Sequence, residues 1–340
     1  MALSVMPGAL WTNVEFVCPC CKGRLAASSS FYRCDRCLIT YPVLFDIPDF
    51  RLRSDRYLSL EQERAKARKL FDYGQNKSVA EVVQFYYSLS DDLPRNMALR
   101  YQAATIAAPD RAQHIVEDLA PSPDSDVLVE LGCGTGGLLV CAQGRYRAIY
   151  GVDIALRWLV VCKKRLQENN ATATLICADV EALPFANDSF THAVAADLLD
   201  HVYNVDNSLR EIARVIQPGG SLWISAANRY CIGPHPLTGV WAIGLLPARL
   251  RAGLLKKLKG IDLLRYANML SSGYLRGLLR KHDFALRTIK PKQVVPHIQA
   301  GYGALERGLL KLYRSLLRLP SMRAILVTLG PAFTIICRKR

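Results

Sequence analysis

A chain of 340 residues, 51% apolar and 21% charged, has material for one ordinary catalytic domain with appendages, and neither disorder nor a fixed-period repeat suits it. The formal charge of +15 favours polyanions; nucleic acid, an anionic membrane surface and a phosphorylated substrate all fit, with a merely solvated basic surface as the plain alternative. Eleven cysteines without a charged region and apolar run at the start imply reduced thiols and a cytoplasmic, at most membrane-peripheral, location. The late apolar stretch Ile325 to Cys337 is broken by Gly330 and Pro331 and is too short to span a bilayer, so no transmembrane segment is expected.

In chain order, the first chemistry-bearing feature is Cys18-Pro19-Cys20-Cys21 followed by Cys34-Asp35-Arg36-Cys37. Two C-x-x-C knuckles joined by a hairpin-length segment offer four thiolates to a tetrahedral metal, which makes Cys18, Cys21, Cys34 and Cys37 the expected ligands of a structural zinc, with Cys20 surplus. A full thiolate shell leaves no open position, so catalytic zinc is not expected. The run Tyr41-Pro42-Val43 through Asp46-Ile47-Pro48-Asp49-Phe50 resembles the closure of small zinc-binding domains that accompany some tRNA, rRNA and protein methyltransferases, with Asp46 where that pattern has Gly. A zinc-ribbon-like domain over residues 1–50 follows from that resemblance, as an accessory for partner or substrate contact.

Residues 51–123 read as a helical linker and lead-in. Charged residues alternate with Leu and Ala from Arg51 to Leu70, which predicts an exposed helix broken by Gly74-Gln75-Asn76; more helices are expected at Val79 to Leu89, Met97 to Ala107 and Ala112 to Leu119. Phe71, Tyr73, Phe85, Tyr86, Tyr87 and Tyr101 are expected in core packing, with a pocket roof as the alternative.

Asp126 to Leu131 is an apolar strand that opens into Gly132-Cys133-Gly134-Thr135-Gly136-Gly137 and a helix. Glycines there permit positive φ and close approach of a ligand to backbone N–H groups. A second strand, Ala148 to Val152, ends in Asp153; a third, Thr174 to Cys177, leads to Asp179-Val180; a fourth, Phe190 to Ala196, ends in Asp197-Leu198-Leu199-Asp200-His201. A helix at Ser208 to Ile216, a Pro218-Gly219-Gly220 turn and a strand at Ser221 to Ser225 follow.

Glu130 to Gly136 resembles the first motif of class I methyltransferases, and the series from Val127 to Asn228 resembles that family throughout. The resemblance implies a Rossmann-like α/β fold with a seven-stranded methyltransferase sheet over residues 124–340, the small zinc ribbon in front and helical additions. It implies S-adenosylmethionine as cofactor, with Glu130, Gly132, Gly134, Gly136, Asp153, Ile154, Asp179, Val180, Asp197 and Leu198 around it: Asp153 on the ribose hydroxyls, Asp179 and the following N–H on the adenine, and Asp197-Leu198 toward the methionine end.

Methyl transfer from a sulfonium needs alignment of nucleophile, carbon and sulfur, and a base only for a protonated nucleophile. His201 is the first candidate base and His235 the second, with packing as the alternative role for His201. Residues 230–268 read as a lid insertion, and Arg249, Arg251, Lys256, Lys257 and Lys259 among leucines there suit either an ordinary lid helix or an anionic membrane surface. Lys311, Arg314 and Arg318 mark a further basic amphipathic helix. The expectation is methyl transfer to a small-molecule or lipid-like metabolite. The alternatives are an RNA methyltransferase that uses ribbon and basic surface to grip phosphates, and a cofactor-binding scaffold.

Overall fold

The computed structural model describes residues 14–89, 95–260, 262, 264–293 and 303–340. The cysteine-bearing segment forms an antiparallel meander of β1 (Leu25–Ala27), β2 (Phe31–Cys34), β3 (Thr40–Leu44) and β4 (Ile47–Pro48). Its two knuckles are built alike. The N–H of Lys22 donates to Cys18 O and that of Leu38 to Cys34 O, and both residues take a left-handed conformation, so each pair of thiols turns back on itself.

This small sheet is sewn to the large one. Phe50 N–H donates to Cys177 O at 2.8 Å, and Val17 N–H to Pro184 O at 3.0 Å. Phe16 packs against Phe50 and Phe185 with ring centroids 5.6 and 5.8 Å apart, and Cys18, Cys34, Tyr41 and Phe50 join one buried cluster with Val129, Ile176 and Phe185. The apolar residues that a short ribbon cannot bury within itself are buried against the neighbouring sheet.

The helix expected from Arg51 begins later, as α1 (Leu60–Tyr73). Ser59 and Gln62 form a reciprocal capping box there, and upstream Asp55 Oδ1 accepts the N–H groups of Tyr57 and Leu58, a local bonding pattern that competes with helix. Residues 51–58 are therefore an irregular strap with several bends. Its arginines are spent internally: Arg51 lies 2.7 Å from Asp49 and Arg53 2.6 Å from Asp179, so this stretch of the basic excess offers less to polyanions than its sequence suggests. Helices α2 (Val79–Ser88), α3 (Arg95–Ile106) and α4 (Ala108–Leu119) follow, and Phe71, Phe85, Tyr86 and Tyr87 pack on the core as expected.

The large sheet comprises β5 (Val127–Leu131), β6 (Ala148–Asp153), β7 (Thr174–Cys177), β8 (Phe190–Ala196), β9 (Ile216–Ala227), β10 (Phe284–Pro291) and β11 (Ala332–Lys339), in the order β10-β11-β9-β8-β5-β6-β7. β11 runs antiparallel to both neighbours and the other six strands share one direction. This is the Rossmann-like seven-stranded arrangement expected. Alternation along β5 sends Val127, Val129 and Leu131 to one core and Leu128 to the other. The helices α5 (Gly137–Cys141) and α6 (Leu156–Glu168) cover the second face together with α1, α2 and α4, while α7 (Val205–Val215) and α9 (Ser272–Lys281) cover the first.

Residues 230–268, expected as a lid, carry α8 (Ala248–Lys259) and a small core of their own made by Ile243, Leu255 and Leu264. Helices α10 (Ala304–Leu317) and α11 (Pro320–Leu329) lead into β11. Among the described residues no helix is long and apolar enough to cross a membrane.

Candidate active site

Parallel pairing in register brings the carboxyl ends of β5, β6 and β7 side by side, Leu131 opposite Val152 and Asp153 opposite Cys177, and a cleft of about 290 Å³ opens beyond them. The glycine turn is held at its base by the N–H groups of Gly132 and Cys133, which both donate to Val152 O. Gly136 has φ +76°, and a Cβ there would stand 2.4 Å from Cys162 Sγ; at Gly132, φ +71°, it would meet Leu198 Cδ1 at 2.9 Å. Any side chain at these positions would fill the cradle or push α6 away. Arg165 clamps the turn from below, donating to Thr135 O and to the end of α3 at Thr105 and Ile106.

Asp153 receives Gly134 N–H on Oδ2 and Ala155 N–H on Oδ1, both at 2.8 Å, which aims its remaining lone pairs at the cleft; burial raises its pKa. Asp179 Oδ1 accepts Glu181 N–H, and its Oδ2 faces Arg53 of the strap. Ile154, Val180, Asp197 and Leu198 line the same cleft with Gly132, Asp153, Asp179 and His201. Glu130, Gly134 and Gly136, also expected at the cofactor, stand in and beneath the glycine turn that borders it. Glu130 is buried beneath, with Oε2 lacking a partner, and burial together with the nearby Asp153 pushes its pKa well above the carboxylate range. It lies on the same side of β5 as Leu128, which faces the second core.

Asp197 sits at φ +54° where β8 ends. Burial opposes its charge, but Lys292, Arg111 and the hydroxyl of Ser225 outweigh that and hold its pKa at about 2. Three residues on, Asp200 has the opposite fate. Burial lifts its pKa to about 7, with Ala227 N–H on Oδ2 and nothing on Oδ1. His201 Nδ1 lies 3.2 Å from the Tyr57 hydroxyl, and burial lowers its pKa below the usual 6.5.

The second candidate base, His235, is not at the cleft. It closes a turn in the lid, its N–H donating to Val240 O; it is 2% exposed and burial depresses its pKa to about 4. Proline and glycine around it made a tight turn that buries the ring.

The strap roofs the site, which the sequence did not reveal. Tyr57 contacts Tyr266 edge-on at 5.6 Å, Arg56 donates to Tyr266 O, and the Tyr203 hydroxyl donates to Ser54 O while Arg53 and Arg56 lie over the Tyr203 ring. Asn268, at the end of the lid, donates to Leu199 O and Val202 O. None of these residues belongs to a motif; the one available signal was the Asp55 to Ser59 turn-and-cap pattern, which marks residues 51–58 as something other than helix.

In the ribbon, the four expected sulfurs of Cys18, Cys21, Cys34 and Cys37 lie within 4.8 Å of one another, and Cys20 is exposed outside the group. The N–H groups of Cys37 and Arg36 on Cys34 Sγ bring that thiol down to about 6. Four convergent sulfurs, one of them ready to ionise, are a donor set that suits zinc.

Residues 129–224 match the family model described as a methyltransferase domain. The malonyl-[acyl-carrier protein] O-methyltransferase of Halorhodospira halophila is 28% identical over 206 residues, 60% of this chain and 67% of that protein. The ubiquinone biosynthesis O-methyltransferase of Coxiella burnetii is 32% identical over 103 residues, 30% of this chain and 44% of that one. The chain thus spans about two thirds of the first relative and under half of the second. A solved S-adenosylmethionine dependent methyltransferase from Mesorhizobium loti superposes with a TM-score of 0.46 at 16% identity, over 68% of this chain and all of that one.

Proposed function

We propose that this S-adenosylmethionine-dependent methyltransferase acts on a small or lipid-like acceptor at an oxygen atom. The observation that carries the reading is the roof: strap and lid meet over the cleft through Tyr57, Arg56 and Tyr266, which leaves room for a slender acceptor and little for a folded macromolecule. The O-methyltransferases among the relatives support the choice of oxygen.

Bound S-adenosylmethionine supplies a methyl group on a positively charged sulfur. The glycine turn would cradle the cofactor, Asp153 would accept the ribose hydroxyls, and Asp179 with the Val180 N–H would hold the adenine. Leu198 and Asp197 would flank the methionine end. His201 is neutral at pH 7 because burial disfavours its cation. With Nδ1–H donating to the Tyr57 oxygen, Nε2 keeps its lone pair and takes the proton of an acceptor hydroxyl as the methyl group moves. Cys18, Cys21, Cys34 and Cys37 would hold a zinc ion that cross-links the ribbon and takes no part in the chemistry.

The test is incubation of the purified chain with methyl-labelled S-adenosylmethionine and a cell extract, followed by counting of label in organic-solvent, small-molecule, RNA and protein fractions. Label in the first two is expected. Label in RNA that nuclease removes would overturn the reading in favour of RNA methylation, and cofactor binding without label anywhere would favour a scaffold.

A further inference from the structure

The C-terminal helices and the root of the lid form one surface whose chemistry methyl transfer does not use. Ile232 N–H donates to Leu329 O at 3.2 Å, and the Asn228 side-chain amide donates to Val327 O, Thr328 O and Gly330 O, so lid and α11 are tied together. Trp241 pairs with Pro234 across the lid turn, close to Ile232. The Tyr313 hydroxyl of α10 donates to Lys292 O, and Lys292 is the cation on Asp197 at the mouth of the cleft. The surface therefore adjoins the acceptor end of the site.

Its large exposed side chains are aliphatic, aromatic and cationic. Leu305 is 73% exposed, Leu312 and Leu319 follow at seven-residue intervals, and Lys311, Arg318 and Arg323 are exposed beside them. Residues 229–260 contain no Asp or Glu, and residues 303–340 contain Glu306 alone. A soluble chain rarely keeps such leucines in water without use. A second copy of the chain is a poor cover, because it would bring like charges together. RNA would satisfy the cations and could stack on Trp241, but it would leave the row of leucines unburied, since aliphatic side chains cannot stack on bases.

We propose that this face docks on an anionic membrane surface, with the leucines in the headgroup boundary and the lysines and arginines on lipid phosphates, so that a lipid-like acceptor enters the cleft from the bilayer. The proposal deepens the function inferred above and rests on it only for its purpose, because docking is read without methyl transfer.

The experiment is co-flotation of the full chain with vesicles of phosphatidylcholine alone and of phosphatidylcholine with about one third phosphatidylglycerol, at two salt concentrations. At least tenfold more protein is expected on the anionic vesicles, falling with salt. Leu305→Asp/Leu312→Asp on α10 and Lys311→Glu/Arg318→Glu on α10 and its C-cap, all at exposed positions, are each expected to cut flotation about tenfold while thermal unfolding stays as in the parent chain. Equal, negligible flotation on both vesicles would overturn the proposal whether or not the chain methylates an extract. So would flotation that the charge variant abolishes and the leucine variant leaves intact, and tight RNA binding lost only in the charge variant would assign the face to RNA instead.

Discussion

The two ends of the cleft are built on different principles. At the end proposed for the cofactor, each element stands at or just past the carboxyl end of its strand: Gly132 to Gly136 after β5, Asp153 and Ile154 at the end of β6, Asp179 and Val180 after β7. At the end proposed for the acceptor the partners are remote in sequence, Tyr57 and His201 by 144 positions and Asp197 and Lys292 by 95. A site of the first kind is specified by local patterns and needs only parallel strands in register. A site of the second kind exists only after strap, lid and C-terminal helices have packed, so its residues carry no common signature and tolerate exchange of the elements that bear them.

The sharpest break of the cofactor end is Gly136→Val. A left-handed φ and the Cys162 sulfur at 2.4 Å from a Cβ oppose any side chain, so strain and overpacking of about 3 kcal/mol are expected. Titration calorimetry with S-adenosylhomocysteine should show affinity lower by about 100-fold, on the scale of tenfold per 1.4 kcal/mol. Binding equal to the parent chain would separate the turn from the cofactor.

The root of the strap offers the next test. Arg51→Met leaves the buried Asp49 carboxylate with Arg64, at 3.1 Å, as its remaining cation among the described residues, and a loss of about 3 kcal/mol in urea unfolding is expected. Asp49→Asn together with Arg51→Met should recover most of it, since removing both charges leaves none uncompensated. If the single variant is as stable as the parent, the strap is not anchored there.

At the acceptor end, His201→Asn is expected to slow methyl transfer about 100-fold, the ordinary worth of a general base, and Tyr57→Phe about tenfold. Because burial lowers the folded pKa of His201 below 6.5, activity should persist as pH falls to 6.5 and fail only below it. Tyr57→Phe should move that acid limb, whereas a merely packing tyrosine would change the rate and leave the limb in place.

The smallest effect concerns Asp200, whose folded pKa near 7 exceeds the 3.8 of an ordinary aspartate. The unfolded chain gives up this proton first, so stability should decline as pH rises from about 4 to 7 and level off above. Asp200→Asn should flatten that slope and gain at least about 1 kcal/mol at pH 8, read from urea unfolding at both ends of the range. An unchanged slope would mean that the carboxyl is not kept protonated.

Helix ends show in small what separates the legible from the illegible. The Ser59 and Gln62 capping box places the start of α1, yet alternating charge upstream suggested more helix, because a side chain that will reach Asp179 looks in sequence like one bound for solvent. Histidine shows the same limit: His201 and His235 are alike in composition, and only the packing of the lid turn takes His235 out of reach.

By itself the sequence determined the strands β5 to β8 and the middle of β9, the glycine turn, the acidic residues that end β6 and follow β7 and the four-cysteine set, because each is local: an apolar run, a positive φ, a short spacing of thiols. Tertiary structure alone decided that Glu130 lies under the turn, that the ribbon shares the main core, that Arg53 turns inward onto Asp179 and that Tyr57 meets His201. Those outcomes depend on which surfaces meet, and burial, desolvation and ion pairing act between residues that the chain order keeps far apart.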